Sequence, residues 1–210
     1  RPLGPPTYAA CSGFIYAAAT AHGLLTTLGG QYALVIGCEA LSRMMDPTDR
    51  TTCVLFGDGA GAAVFELAEN VPFAITLGAR GSEAIRAGGP AACDTAPITM
   101  DGKAVFRFAV ETMPRCLQTV LDRSQKTLSD LDWVVCHQAN ARIIDFVAKR
   151  LKAREGLFYK NMERYGNTSA ASIPMALDEL VEQGTLKPGM RVLTVGFGGG
   201  LTWAGALFTW

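Results

Sequence analysis

Thr7-Tyr-Ala-Ala-Cys11-Ser-Gly-Phe-Ile-Tyr-Ala17 is the stretch around which the rest of the chain is organised. Small and β-prone residues run into a cysteine, and an alanine-rich, helix-prone segment begins directly after it. The pattern predicts a strand-to-helix junction at Cys11. A helix start offers unpaired N–H groups and the positive end of the macrodipole, which push a thiol from its free pKa of about 8.5 toward thiolate. Cys11 is therefore a candidate nucleophile, although the same residue also reads as a small buried hydrophobe.

Working outward, the apolar run over 12–28 predicts a buried helix that stops at Gly29-Gly30, where glycine supplies a left-handed cap. Tyr32-Ala-Leu-Val-Ile-Gly37 is continuously apolar, the mark of a parallel strand covered on both faces. The polar loop Asp46-Pro-Thr-Asp-Arg50 leads to Cys53-Val-Leu-Phe-Gly-Asp-Gly-Ala-Gly-Ala-Ala-Val-Phe65, read as strand, glycine-rich turn and strand. That turn lacks the Gly-Lys-Ser/Thr of a phosphate-binding loop and leads into a β-like run, so a nucleotide site is not expected there.

Farther along, a strand is expected over 73–77 and a long surface loop over 81–97. A helix is expected from Asp101 to about Leu121, kinked at Pro114. Leu131-Asp-Trp-Val-Val-Cys136 is a strand that delivers His137 at its end. A helix over 138–152 follows, with Ile143, Ile144, Val147 and Leu151 on its apolar side. Tyr165-Gly-Asn167-Thr-Ser is a capping turn into a helix that ends near Gln183-Gly184. The chain closes with a strand from Arg191, the turn Gly196-Phe-Gly-Gly-Gly200 and a strand over 202–210.

Two stretches share one plan of helix start, helix, apolar strand, glycine-rich turn and strand: 11–65 and 167–208. An internal duplication of this size implies two βα halves related by a pseudo-twofold axis, divided at 1–71 and 72–210. Fewer elements precede Cys11 than precede Asn167, so the first half reads as incomplete and the chain as truncated at its N-terminus. The opening Arg-Pro-Leu-Gly-Pro-Pro, without a Met or a signal segment, fits that expectation. The pseudo-twofold brings Asn167 near Cys11. His137, at a strand's carboxyl end where α/β sites collect, faces the same pocket. His22, inside a helix, reads as structural.

Composition narrows the partners. The 210 residues are 49% hydrophobic, with 19 basic residues balanced by 19 acidic ones, so no overall field favours nucleic acid. The apolar stretch between Phe14 and Cys38 is too interrupted for a membrane span. Six cysteines without C-x-x-C spacing, and only two histidines, point to reduced thiols, a cytosol-like compartment and no metal site.

Ala-Cys11-Ser-Gly-Phe, Asp46-Pro-Thr-Asp-Arg50, Phe56-Gly-Asp-Gly-Ala-Gly-Ala, His137-Gln-Ala-Asn, Gly166-Asn167-Thr-Ser-Ala-Ala-Ser and Gly196-Phe-Gly-Gly-Gly, in this order, resemble the β-ketoacyl-[acyl-carrier-protein] synthase III family of the thiolase superfamily. The resemblance implies a thiolase-like layered αβαβα fold, a cytoplasmic homodimer and an acyltransferase that starts type II fatty-acid synthesis. Its reaction is a decarboxylative condensation of an acyl-CoA, acetyl-CoA above all, with malonyl-acyl-carrier protein. Cys11 is then the acyl-accepting nucleophile, and His137 and Asn167 the donors to the malonyl thioester oxygen. The backbone N–H groups of Cys11 and Gly199 form the oxyanion hole. Phe197 gates the thiol, Arg50 and Arg142 lie at the mouth near CoA or the carrier, and Lys149 and Arg150 join Arg142 in attracting an acidic carrier. No cofactor beyond the CoA and phosphopantetheine thioesters is implied. Within the superfamily, a polyketide or secondary-metabolite synthase and an ester- or amide-forming acyltransferase are the alternatives. A papain-like protease shares the Cys, His, Asn order but lacks the flanking signature at Cys11 and leaves the duplication unexplained.

Overall fold

A computed structural model describes residues 7–69, 71, 73–88 and 96–210. Its helices are α1 (Gly13–Leu28), α2 (Gly102–Ser124), α3 (Ala141–Arg150), α4 (Met162–Tyr165) and α5 (Ser172–Glu182). Its strands are β1 (Tyr32–Glu39), β2 (Gly59–Glu66), β3 (Ala74–Ser82), β4 (Ile85–Arg86), β5 (Thr99–Met100), β6 (Trp133–Cys136), β7 (Phe158–Tyr159), β8 (Arg191–Gly198) and β9 (Gly200–Thr209).

The main sheet has the order β3-β9-β8-β6-β7, with β6 parallel to β7 and β8 and the other pairs antiparallel. One face is covered by α2 and α3, through Val105, Met113, Leu117, Ile144 and Val147 packed on Val134, Leu193 and Leu207. The other is covered by α1 and α5, through Phe14, Ile15, Ile173 and Leu177 packed on Val135, Val192 and Ala206. Val35 of β1 and Ala63 and Phe65 of β2 lie beyond these central helices in the same cluster. The described residues thus build four layers, αβαβ, of the five that the resemblance implies. Burial of whole side chains on both faces of the main sheet, at roughly 1.5–3 kcal/mol each, is what holds them together.

Several expectations are met because they rest on local chemistry. α1 ends at Gly29 with φ +71°, a conformation cheap for glycine alone. Asp101 caps α2, accepting from the N–H groups of Lys103 and Ala104. Pro114 lies inside that helix and has no N–H for the carbonyl of Val110. The guanidinium of Arg150 donates to that oxygen instead, at 3.4 Å.

Others are corrected. β1 is not a parallel strand covered on both faces: it runs antiparallel to β2, and Tyr32, Leu34 and Ile36 are exposed on its outer side. A continuous apolar run does not specify strand direction, which depends on a partner remote in sequence. No strand precedes Cys11 over 7–9; a 3-10 turn, Ala10–Ser12, leads into α1 instead. The strand expected to start at Cys53 is a series of turns. Of the glycines after it, Gly59 and Gly61 lie inside β2 itself, where a β-carbon at Gly61 would strike Pro174 and Met175 of α5. The loop expected over 81–97 holds β4, paired with β5. Its residues 89–95, Cys93 among them, lie outside the described residues, as does the opening at 1–6. α3 is shorter than expected, starting at Ala141 because Asn140 caps it.

One order of elements recurs along the chain, in a register different from the one expected. A 3-10 turn, a helix and an antiparallel strand pair occur twice, as Ala10–Ser12, α1, β1, β2 and as Ser169–Ala171, α5, β8, β9. The two turns share a left-handed first residue, Ala10 (φ +45°) and Ser169 (φ +49°). One shift along the chain carries Ala10 to Ser169, Cys11 to Ala170, Tyr32 to Arg191 and Glu39 to Gly198. The residue equivalent to Cys11 is therefore Ala170, not Asn167, which stands three positions earlier.

Candidate active site

Cys11 sits in the 3-10 turn with β8 pressed against it. A β-carbon at Gly198 would lie 2.6 Å from the Cys11 nitrogen, and one at Gly196 would lie 3.2 Å from its carbonyl oxygen. The hydroxyls of Ser12 and Thr202, 2.7 Å apart, join the turn to the start of β9. Ser12 donates to the Ala9 carbonyl at 2.8 Å. The thiol is not pushed toward thiolate as the helix start alone suggests. Burial raises it to about 11, the Ser169 hydroxyl lowers it less, and Glu39 pushes it up again. Desolvation outweighs the helix terminus here, although Cys11 is only half-buried and faces the cavity.

His137 follows β6 directly, its N–H bonded to the Val195 carbonyl at 2.8 Å. The imidazole is buried, its Nδ1 lies 2.7 Å from the Ser172 Oγ, and Phe197 meets it edge-on at 5.6 Å. Burial depresses its pKa to about 3, so the ring is neutral at ordinary pH. Gln138 braces the same strand end, donating to the Cys136 and Tyr159 carbonyls and accepting from the N–H of Asn161.

Asn167 is held by main chain on both sides. Its N–H donates to the Leu55 carbonyl and its own carbonyl accepts from Gly57, forming an isolated parallel bridge with Phe56. The glycine motif after Phe56 is thus a strap on Asn167. The side-chain oxygen of Asn167 accepts from the Ser169 N–H at 3.0 Å, which leaves the amide NH2 as the end available to a ligand.

Cys11, His137 and Asn167 all line one cavity of about 1770 Å³, together with Phe197, Gly198, Gly199 and Glu39. The remaining candidates lie elsewhere. Arg50 is exposed in the turn after Asp46, and Arg142, Lys149 and Arg150 are exposed on α3; none of the four lines the cavity. Phe197 is also a core residue, stacked edge-on with Phe108. His22 stacks on Phe73 at 4.5 Å, away from the cavity. Among the described residues no cluster of His, Cys, Asp or Glu is placed to hold a metal, no helix is long and apolar enough to cross a membrane, and Cys11, Cys38, Cys53, Cys116 and Cys136 are free thiols.

Sequence reasoning missed Glu39, Ser169, Ser172 and Gly198. Glu39, at the end of β1, accepts from the Ala170 N–H at 3.2 Å and reaches the Ser169 hydroxyl. Its carboxyl is nevertheless raised by burial. The Ser residues stood in plain view within Asn167-Thr-Ser-Ala-Ala-Ser, but nothing in the sequence shows which side chains their hydroxyls meet.

Comparison with known proteins identifies the family. Residues 7–81 match the family model for 3-oxoacyl-[acyl-carrier-protein (ACP)] synthase III, and residues 121–210 match that for its C-terminal part. The chain is 44% identical to the β-ketoacyl-[acyl-carrier-protein] synthase III of Clostridium novyi and 45% identical to that of Thermosynechococcus vestitus. In each comparison 96% of this chain is covered, and it spans 66% of the relative's length. The crystal structure of 3-oxoacyl-[acyl-carrier-protein] synthase III from Aquifex aeolicus superposes with a TM-score of 0.88 at 39% identity, over 96% of this chain and 65% of that one. The fold is thiolase-like, and the chain belongs to the 3-oxoacyl-[acyl-carrier-protein] synthase III family.

Proposed function

We propose that this chain carries the catalytic groups of a condensing acyltransferase that joins an acyl-CoA primer to malonyl-acyl-carrier protein, the opening step of type II fatty-acid synthesis. One observation carries the reading: a thiol, a neutral imidazole and a carboxamide with its NH2 end available, distant in sequence, line a single cavity. The three residue types suit the two half-reactions, and family membership supports the assignment.

In the first half-reaction the Cys11 sulfur attacks the thioester carbonyl of the primer. A tetrahedral oxyanion forms against the N–H groups of the Cys11 turn and the Gly198-Gly199 segment. Collapse expels CoA, which departs with the proton the thiol gave up. Gly198 matters because a β-carbon there would strike the Cys11 backbone and hold the segment away from the sulfur. In the second half-reaction the malonyl thioester loses carbon dioxide, and the electron pair of the broken bond enters the thioester carbonyl as an enolate. Asn167 and His137 donate to that oxygen; in a dry site each donor is worth roughly 3 kcal/mol. The enolate carbon attacks the acyl group on Cys11, and the released thiolate takes up a proton. Arg50 and Arg142 belong to the same proposal as contacts for CoA or the carrier. Lys149 and Arg150 join them on the carrier side, and a homodimeric, cytoplasmic enzyme completes it.

Incubation with acetyl-CoA followed by mass spectrometry should find one acetyl group on the peptide containing Cys11. Adding malonyl-carrier protein should then remove it and yield acetoacetyl product. No adduct, or one on another cysteine, would defeat the proposal. An adduct that malonyl-carrier protein never consumes would support the ester- or amide-forming alternative.

A further inference from the structure

The helix α4 has four residues and leads through Gly166 directly to Asn167. A helix that short does not hold itself, because its first turn orders more backbone than the few hydrogen bonds within it offset. What fixes it is a side chain from α5. Glu179, 8% exposed, accepts from the Asn161 side-chain NH2 at 2.7 Å through one carboxylate oxygen and from the Arg164 guanidinium through the other. Asn161 stands at the N-cap of α4 and Arg164 in its last turn, so one carboxylate grips both ends of the helix.

Asn161 forgoes the usual cap to do so, since its side chain makes no bond to the N–H groups of α4. Its backbone N–H donates to the Gln138 Oε1 at 2.9 Å, and Gln138 follows His137 in the chain. The α5 end of the clamp is firm, because Ile173, Leu177 and Leu180 of that helix are buried in the core. A buried carboxylate offsets its lost hydration only through well-placed partners, and both partners here belong to one short segment.

We infer that Glu179 is a positioning residue: by clamping α4 it sets where Asn167 leaves that helix, and through Asn161 and Gln138 it fixes Asn167 relative to His137. Glu179, Asn161 and Arg164 do not line the cavity, so the effect reaches the site through the backbone they hold.

The catalytic consequence rests on the proposed function, and the test separates the two. Glu179→Gln keeps the shape, but its one oxygen meets Asn161 or Arg164 and its NH2 faces the other, which also donates. Decarboxylation of malonyl-carrier protein should fall roughly tenfold to a hundredfold, the cost of displacing an active group by up to about 1 Å, while acylation of Cys11 changes little. Asn161→Asp sets two carboxylates against each other and should lower the same ratio. The double variant Asn161→Asp with Glu179→Gln exchanges donor and acceptor and leaves Arg164 an acceptor, so the wild-type ratio should return; independent structural damage would add instead of cancelling. An unchanged ratio in Glu179→Gln, or a double variant no better than either single one, overturns the inference. If Glu179→Gln does not fold, the double variant decides: the wild-type ratio upholds the clamp, and a lowered ratio or an unfolded chain refutes it. A wild type that acylates no Cys11 or decarboxylates no malonyl group defeats the proposed function instead. The clamp is then read from urea melts, where the two substitutions must cancel in the same way for it to stand.

Discussion

Gly198 approaches Cys11 so closely that a β-carbon on it would stand 2.6 Å from the Cys11 backbone nitrogen, well inside van der Waals contact. A β-carbon is fixed to its own backbone and the atom it meets is main chain, so neither can swing aside. Gly198→Ala should push β8 away from the nucleophile turn and lower the rate of Cys11 acylation by about a hundredfold, the scale set by misplacing a reacting group by about 1 Å. Pre-steady-state acylation by acetyl-CoA measures it, and an unchanged rate would count against this contact as part of the site.

Gly57 plays the corresponding part for Asn167. A β-carbon there meets the Tyr165 carbonyl oxygen, and relief requires opening the bridge that holds Asn167. Gly57→Ala should cost about 1–3 kcal/mol of stability, as overpacking does. It should also depress decarboxylation more than acylation, because the role proposed for Asn167 lies in the second half-reaction. Denaturant melts and the ratio of the two rates test both parts; a proportional loss in both rates would argue for a general structural effect.

The raised thiol makes a sharp statement about pH. With Cys11 lifted to about 11, alkylation by iodoacetamide at this residue should climb roughly tenfold per pH unit and level off only near pH 11. Ser169→Ala removes a bond that favours the thiolate and should slow the reaction further at any fixed pH below the plateau. Peptide mapping separates Cys11 from the exposed Cys38. A plateau below pH 8 would show instead that the helix start prevails over burial.

His137 links the fold to acid. Its folded pKa, about 3, lies below the ordinary 6.5, so the unfolded chain binds a proton that the folded chain refuses. Its contribution is therefore complete above pH 6.5 and is lost progressively as pH falls toward 3, by about 2–3 kcal/mol at pH 4.5. In His137→Gln that loss is absent, so the stability gap between wild type and variant should narrow from pH 7 to pH 4.5 in urea titrations. A gap independent of pH would mean that the imidazole is not held neutral by burial.

How far each feature could be read from the sequence follows from how local its cause is. α1 and its stop at Gly29, the delivery of His137 at the end of β6, and the turn that carries Asn167 rest on caps, periodicity and apolar runs spanning a few residues. The direction of β1 was misread because the same apolar run serves a parallel or an antiparallel neighbour. The duplication was visible as a shared order of elements, yet its register was off by three residues, because only paired turn geometry at Ala10 and Ser169 sets it. Cys11 shows the limit most clearly. A thiol at a helix start has a local reason to ionise, while its desolvation comes from segments far away in the chain.

The amino-acid order by itself determined the layered α/β class, the three candidate residues Cys11, His137 and Asn167 and the family, since these depend on short-range patterns and on motifs in a fixed sequence. Tertiary structure alone decided that β8 presses on the nucleophile turn, that Phe56 straps Asn167, and that Ser172 meets the imidazole. Charge and protonation depend on what excludes water and which hydroxyl arrives, and both are set by contacts between segments that meet only when the chain folds.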